Sequence, residues 1–251
     1  MKLSVIGSVK IDSRWRKKLF IHNLESLKPV SSLLSWRVNI VGRYADWATK
    51  EILFCYKDAI ITNDDDSSYY YITKNQIQDS DSDIILFWEE DNWFLCPCKA
   101  LFFHLLSEFI NSPAEILTVV HLITSWETKP LLPVVKDTYF YTEYRVDKES
   151  QKNIWEKHPG AYLAGITAIH KRKMALDILE FNKPDLENAK NDRYFELDRQ
   201  KGERFLEKRS FIEMVPKFQV FREVFRFQSV ERTISIRKAL QVIKLRNKGL
   251  I

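Results

Sequence analysis

The residues best suited to chemistry are Glu89, Glu90 and Asp91, which follow directly on the apolar run Ile84-Ile85-Leu86-Phe87-Trp88. A run this short reads as a strand buried on both faces, the kind found in parallel sheets covered by helices. The acids then sit at its carboxyl end, where open α/β sheets bind their ligands. Side chains alternate along an extended chain, so Glu89 and Asp91 point the same way. Two converging carboxylates can hold a hard divalent cation such as Mg or Mn, with water and phosphate oxygens as its other ligands. A solvated acidic turn is the other reading of the same three residues.

The elements that must position these acids follow from the pattern on either side. Residues 2–11 read as a strand, and Asp12 and Ser13 can cap a helix over 14–27 whose stripe is Phe20, Leu24 and Leu27, with Pro29 just beyond it. Residues 36–41 read as a strand ending at Gly42, 44–54 as a helix and 59–62 as a third strand ended by Asn63-Asp64-Asp65-Asp66. A helix over 69–78 leads into the central strand. Strands alternating with helices at this spacing predict βαβ units and a Rossmann-like, mostly parallel sheet. A helix from Pro97 to about Asn111 and a strand over 115–122 complete this half. From Thr128 the texture changes: Pro130 and Pro133 break the chain, and residues 138–144 alternate as a strand. Beyond them come an apolar strand over 159–170, a basic helix start at Lys171-Arg172-Lys173 and a polar stretch over 181–195. The expected division is one domain over 1–230, with halves at 1–127 and 128–230, followed by a tail over 231–251.

Bulk properties narrow the class. A chain of 251 residues with 45% hydrophobic content can build a large core, and six glycines argue against a glycine-rich phosphate loop or a repeat protein. The start is too short in apolar residues for a signal peptide and no twenty-residue apolar segment occurs, so a cytoplasmic protein is expected. Cys55, Cys96 and Cys98 lack a second pair to complete a zinc site and read as buried free thiols. His104 and His121 fit no metal spacing and read as packing residues. The charge of +5 resides in 231–251, which holds six basic residues and one acidic one, while the basic and acidic residues of the remainder cancel. In that tail Ile236, Ala239, Leu240 and Ile243 share one helical face; such a helix docks on its own domain or lies on an anionic membrane surface.

Several of these pieces, taken in order, resemble a known family. They are the first strand Leu3-Ser4-Val5-Ile6, the helix end Asn23-Leu24-Glu25-Ser26-Leu27, the second strand Val38 to Val41, the acidic strand end Ile85 to Asp91, the stretch Gly160 to Lys173 and the segment Tyr194-Phe195-Glu196-Leu197-Asp198-Arg199. Together they resemble the inverting glycosyltransferases of GT-A fold, broadly the family 2 type, across roughly residues 1–230. The resemblance implies an α/β GT-A (nucleotide-diphospho-sugar transferase) fold and transfer of a sugar from a nucleotide-sugar donor to a hydroxyl of a glycan or lipid-linked acceptor, in bacterial cell-surface polysaccharide synthesis. It implies Asp91 and Glu89 as ligands of Mn or Mg, Glu196 as general base and Asp198 as its reserve. Donor contacts would come from Ser8, Tyr44, Asp46, Asn63, Asp64 and Glu90. This sequence carries Glu-Glu-Asp where the family carries Asp-x-Asp, and after the second strand it offers only Asp46, with Tyr44 as a stacking surface. Asn63 to Asp66 would touch nucleotide or ribose, or form a plain turn. Lys171 to Lys173 would contact diphosphate or stand in solvent. A silent binding module with the same fold is the alternative. A nucleic-acid binder is the third reading, disfavoured because residues 1–230 carry no net charge and show no aromatic–basic interleaving of a known motif. Peripheral membrane contact is assigned to 231–251.

Overall fold

The β-branched run at the start of the chain becomes strand β1 (Leu3–Lys10), and every second residue of it enters a different core. A computed structural model of the chain describes residues 2–89, 92–96, 98–119, 129–159, 161, 163, 168–183, 197, 199–218 and 220–223. The chain continues through α1 (Arg14–Leu27), β2 (Leu34–Val41), α2 (Ala45–Cys55), β3 (Ile60–Thr62), α3 (Tyr69–Gln78) and β4 (Ile84–Phe87). Next come β5 (Asn92–Phe94), α4 (Lys99–Asn111), β6 (Ile116–Thr118), β7 (Val134–Asp137), β8 (Tyr141–Val146) and α5 (Lys148–Lys157). Last are β9 (Ala168–Lys171), α6 (Arg172–Phe181), α7 (Arg199–Leu206), β10 (Phe211–Pro216) and β11 (Phe221–Glu223).

Nine strands form one sheet in the order β3-β2-β1-β4-β9-β6-β10-β8-β7, and β5 pairs with β11 in a small second sheet. The pairings β3–β2, β2–β1, β1–β4 and β6–β10 are parallel. The others run antiparallel, so only β9 and β8 oppose the common direction of the remaining strands. The expected α/β fold with a mostly parallel sheet and flanking helices is therefore present. Among the described residues the sheet draws strands from both sides of residue 128, because β9 stands between β4 and β6.

Alternation decides which helices cover which face. Leu3, Val5 and Val9 of β1 join Trp36, Val38 and Ile40 of β2 and Leu86 of β4 in a core closed by Phe20, Leu24 and Leu27 of α1, Ala48 and Ile52 of α2, and Phe102 to Phe109 of α4. On the opposite face Ile6, Ile85 and Phe87 pack on Tyr70 and Ile77 of α3 and Ala175 and Leu179 of α6. A further core gathers Trp155 of α5, Ile178 of α6, Phe205 of α7 and Phe211 of β10.

Some expectations change. Of the stretch read as a strand over 138–144, residues 141–144 belong to β8, whereas 138–140 form the hairpin turn after β7, where Thr138 Oγ1 accepts from the amides of Phe140 and Tyr141. Helix α5 was not anticipated, although Asp147 and Ser150 form a reciprocal capping box at its start. The apolar stretch 159–170 contributes a strand only from Ala168, among its described residues. The tail 231–251 lies outside the described residues.

Candidate functional site

Strand β4 stops at Phe87, and the amide of Trp88 still donates to Ile6 O at 2.8 Å. Glu89 then leaves the sheet at the carboxyl edge of the parallel group, half-buried, where the sequence placed it. The turn closes when the amide of Asn92 donates to Glu89 O at 3.3 Å, and β5 begins. The Asn92 side-chain amide also approaches Glu89 Oε2 at 3.4 Å. Glu90 and Asp91 lie outside the described residues, so of the expected metal pair only Glu89 has a described position.

Two features of the fold bring β1 and α1 against this turn. A Cβ added to Gly7 would meet Trp88 O at 2.5 Å, a contact with backbone that only glycine avoids. On the other side Asn23 of α1, fully buried, donates through Nδ2 to Glu89 O at 3.1 Å and to Asn92 O at 2.7 Å. Its Oδ1 accepts from Trp88 Nε1 at 2.8 Å. One turn later Ser26 Oγ accepts from the amide of Phe94 at 2.9 Å and donates to Asn23 O. Both residues stand in the helix end that carries the family resemblance, which gives neither a role; the signal for one was two polar residues on the apolar stripe of a helix.

The remaining predicted donor residues spread along the same edge. Ser8 stands two residues past the last β1–β4 pair, in register with Asn39 of β2, and its buried hydroxyl has no hydrogen-bond partner among the described residues. Asn39 is itself buried and holds the loop after β3, accepting from Thr62 Oγ1 and the amide of Asp64 at 2.9 Å each and donating to Asp64 O at 2.8 Å. Within that loop Asn63 Nδ2 donates to Ile40 O at 2.7 Å. Asp64 Oδ1 accepts from the amides of Asp66 and Ser67, and hydrogen bonds from Ser67 hold its carboxyl below the usual range. Both residues thus build the turn as well as marking the edge.

At the other flank Gly42 takes φ +96°, the left-handed region, and the chain returns so that Tyr44 N donates to Ile11 O and Arg43 N to Asp12 Oδ1. Tyr44 is half-buried, with Lys17 Nζ at 4.8 Å and the Arg43 guanidinium at 5.6 Å from its ring centre. Asp46 is exposed in the first turn of α2. Glu196 and Asp198 lie outside the described residues; Leu197 between them is buried, and its carbonyl accepts from the amide of Leu163 at 2.8 Å.

Other groups fall elsewhere. Because β9 runs against β4, with Lys171 opposite Ile84, the basic start Lys171-Arg172-Lys173 sits at the amino edge, away from Glu89, and a diphosphate contact there is not available to it. A cavity of about 790 Å³ opens at that same amino edge, lined by Lys2, Ser35, Tyr56 and Asp83 among others. Its position separates it from the acidic turn. Cys98 is exposed rather than buried, its sulfur accepting from the amide of Leu101 at the start of α4, while Cys96 is buried and Cys55 half-buried. His104 lies exposed against Phe140, and His121 lies outside the described residues. Within β10, in register with Ile116 of β6, Glu213 is 4% exposed and accepts from Thr118 Oγ1 and Lys129 Nζ. No group of three or more His, Cys, Asp or Glu among the described residues is placed to hold a metal. No described helix is long and apolar enough to cross a membrane.

No family model matches the sequence, and no curated protein matches it. Solved structures do. TarS of S. aureus, residues 1–349, aligns at 12% identity and a TM-score of 0.52 over 98% of this chain and 66% of that one. The TarS complex with UDP-GlcNAc aligns at 11% identity and a TM-score of 0.53 over 97% of this chain and 65% of that one. A TarS complex with UDP gives a TM-score of 0.51 at 13% identity. The chain thus spans slightly less than two thirds of the TarS structures it matches, and what it shares with them is the fold.

Proposed function

We propose that this chain transfers a sugar from a nucleotide-diphosphate donor to a hydroxyl acceptor with inversion, as a family 2-like GT-A glycosyltransferase of hexosyltransferase type. One observation carries the reading: Glu89 stands at the carboxyl edge of four parallel strands, in a fold shared with TarS structures that hold UDP and UDP-GlcNAc. Fold alone does not assign a reaction, so the argument rests on what stands at that edge.

Glu89 and Asp91 would hold a Mn or Mg ion. Two carboxylates suit a hard cation whose remaining ligands are waters and diphosphate oxygens, and the half-buried Glu89 carboxylate is the described half of that set. When bound, the cation offsets the negative charge that the departing nucleoside diphosphate develops. Ser8 offers a hydroxyl beside the turn. Asn63 and Asp64 present the loop that would border nucleotide or ribose, with Tyr44, Asp46 and Glu90 completing the donor contacts. Glu196, with Asp198 in reserve, takes the acceptor proton on the face opposite the leaving group. The acceptor is a glycan or lipid-linked hydroxyl of a bacterial cell-surface polymer, the setting is cytoplasmic, and 231–251 is the segment for peripheral membrane contact.

The test is a thermal-shift panel of UDP, GDP, dTDP, CDP and ADP, each with and without Mn, on the wild type and Asp91→Asn. A ligand that binds the native state raises its melting temperature by mass action. A metal-dependent shift with one nucleotide, lost in Asp91→Asn, is expected. No shift with any nucleotide would overturn the reading.

A further inference from the structure

We infer that Asn23 is a positioning residue for the cation, holding the backbone of Glu89 where the chain leaves β4 and so setting where that carboxylate stands; this rests on the function proposed above. A buried asparagine within a helix is costly unless its amide is paired, and this one spends none of its side chain on its own helix. All three bonds reach the turn: Nδ2 to Glu89 O and Asn92 O, and Oδ1 from Trp88 Nε1. Their chemistry fixes the amide's orientation. An indole nitrogen only donates, so Oδ1 must face Trp88, which leaves the two N–H groups facing the two carbonyls. One planar group thereby ties the backbone of Glu89 to that of Asn92.

A role in holding the sheet together would be redundant. The stretch before the turn is already bonded to β1 through the Trp88 amide, and the stretch after it pairs with β11 and with Ser26. What remains for Asn23 is the geometry between them. Groups that orient metal ligands without touching the metal typically contribute about 10–100-fold in metal affinity.

The experiment is a calorimetric titration of the full chain with UDP, with and without Mn, for the wild type, Asp91→Asn, Asn23→Ala and Trp88→Phe. The expected result is an unchanged metal-free UDP affinity in Asn23→Ala, with the gain from Mn reduced about 10–100-fold. Trp88→Phe keeps the ring packing, loses the bond to Oδ1 and shows a smaller loss in the same direction. A folded Asn23→Ala that keeps the wild-type gain from Mn overturns the inference and leaves the functional reading standing. A wild type whose UDP affinity ignores both Mn and Asp91→Asn overturns the two together. If Asn23→Ala does not fold, Trp88→Phe decides: a wild-type response to Mn in that variant overturns the inference.

Discussion

His170 makes the stability of this fold depend on pH in a way that can be isolated. It sits on β9 between β4 and β6, in register with Ile85, and packs edge-on against Phe87 at 5.1 Å between ring centres. It is 1% exposed, and neither ring nitrogen has a hydrogen-bond partner among the described residues. Burial therefore disfavours the imidazolium and pushes its pKa down to about 3. In the unfolded chain a histidine titrates near 6.5. Between these values the unfolded state takes up a proton that the folded state refuses. The stabilising difference is present in full above about pH 6.5 and shrinks as pH falls toward 3. At pH 5 the unfolded side gains about 1.5 pH units of protonation, or about 2 kcal/mol; the limit near pH 3 is about 5 kcal/mol. Replacing His170 by Phe supplies a ring of similar size with no proton to bind. Urea unfolding of the wild type and His170→Phe at pH 8 and pH 5 gives the comparison, since carboxylates common to both cancel. The wild type is expected to lose about 2 kcal/mol more than the variant over that interval. Parallel losses would refute the claim that the imidazole is buried neutral.

Three further outcomes follow from single contacts. Gly7→Ala places a methyl 2.5 Å from Trp88 O, which cannot yield without moving the acidic turn, so unfolding free energy falls by about 1–3 kcal/mol, read in urea. Lys129→Met leaves Glu213 as a carboxylate at 4% exposure with Thr118 as its described partner, at a cost of about 3 kcal/mol in the same assay. The double variant Lys129→Met with Glu213→Met recovers most of that loss, because the pair is removed together; if it is as unstable as the single variant, desolvation of an unpaired charge is not the cause.

What the sequence made legible was whatever repeats at short range. The apolar run before Glu89 and the stripe Phe20, Leu24, Leu27 each declare a buried face, and β4 and α1 lie where those patterns placed them. Direction is not encoded in periodicity: β9 reads as an apolar strand either way, and only its pairing with Ile84 to Leu86 shows that it runs backwards, carrying Lys171 to the far edge. Strand β10 escaped notice because Glu213 interrupts it, and the cation that makes that carboxylate tolerable is 84 residues away. The same reasoning explains the candidate site. The acids announce themselves by type and by their place after an apolar run, whereas Asn23 looks like a flaw in an amphipathic helix, since its partners lie 66 and 69 residues further on. A buried polar residue on an apolar stripe must have a partner or be paid for in stability. Such an interruption is thus itself a signal that some distant backbone is being held, and in this chain the backbone held is the one that carries the acids.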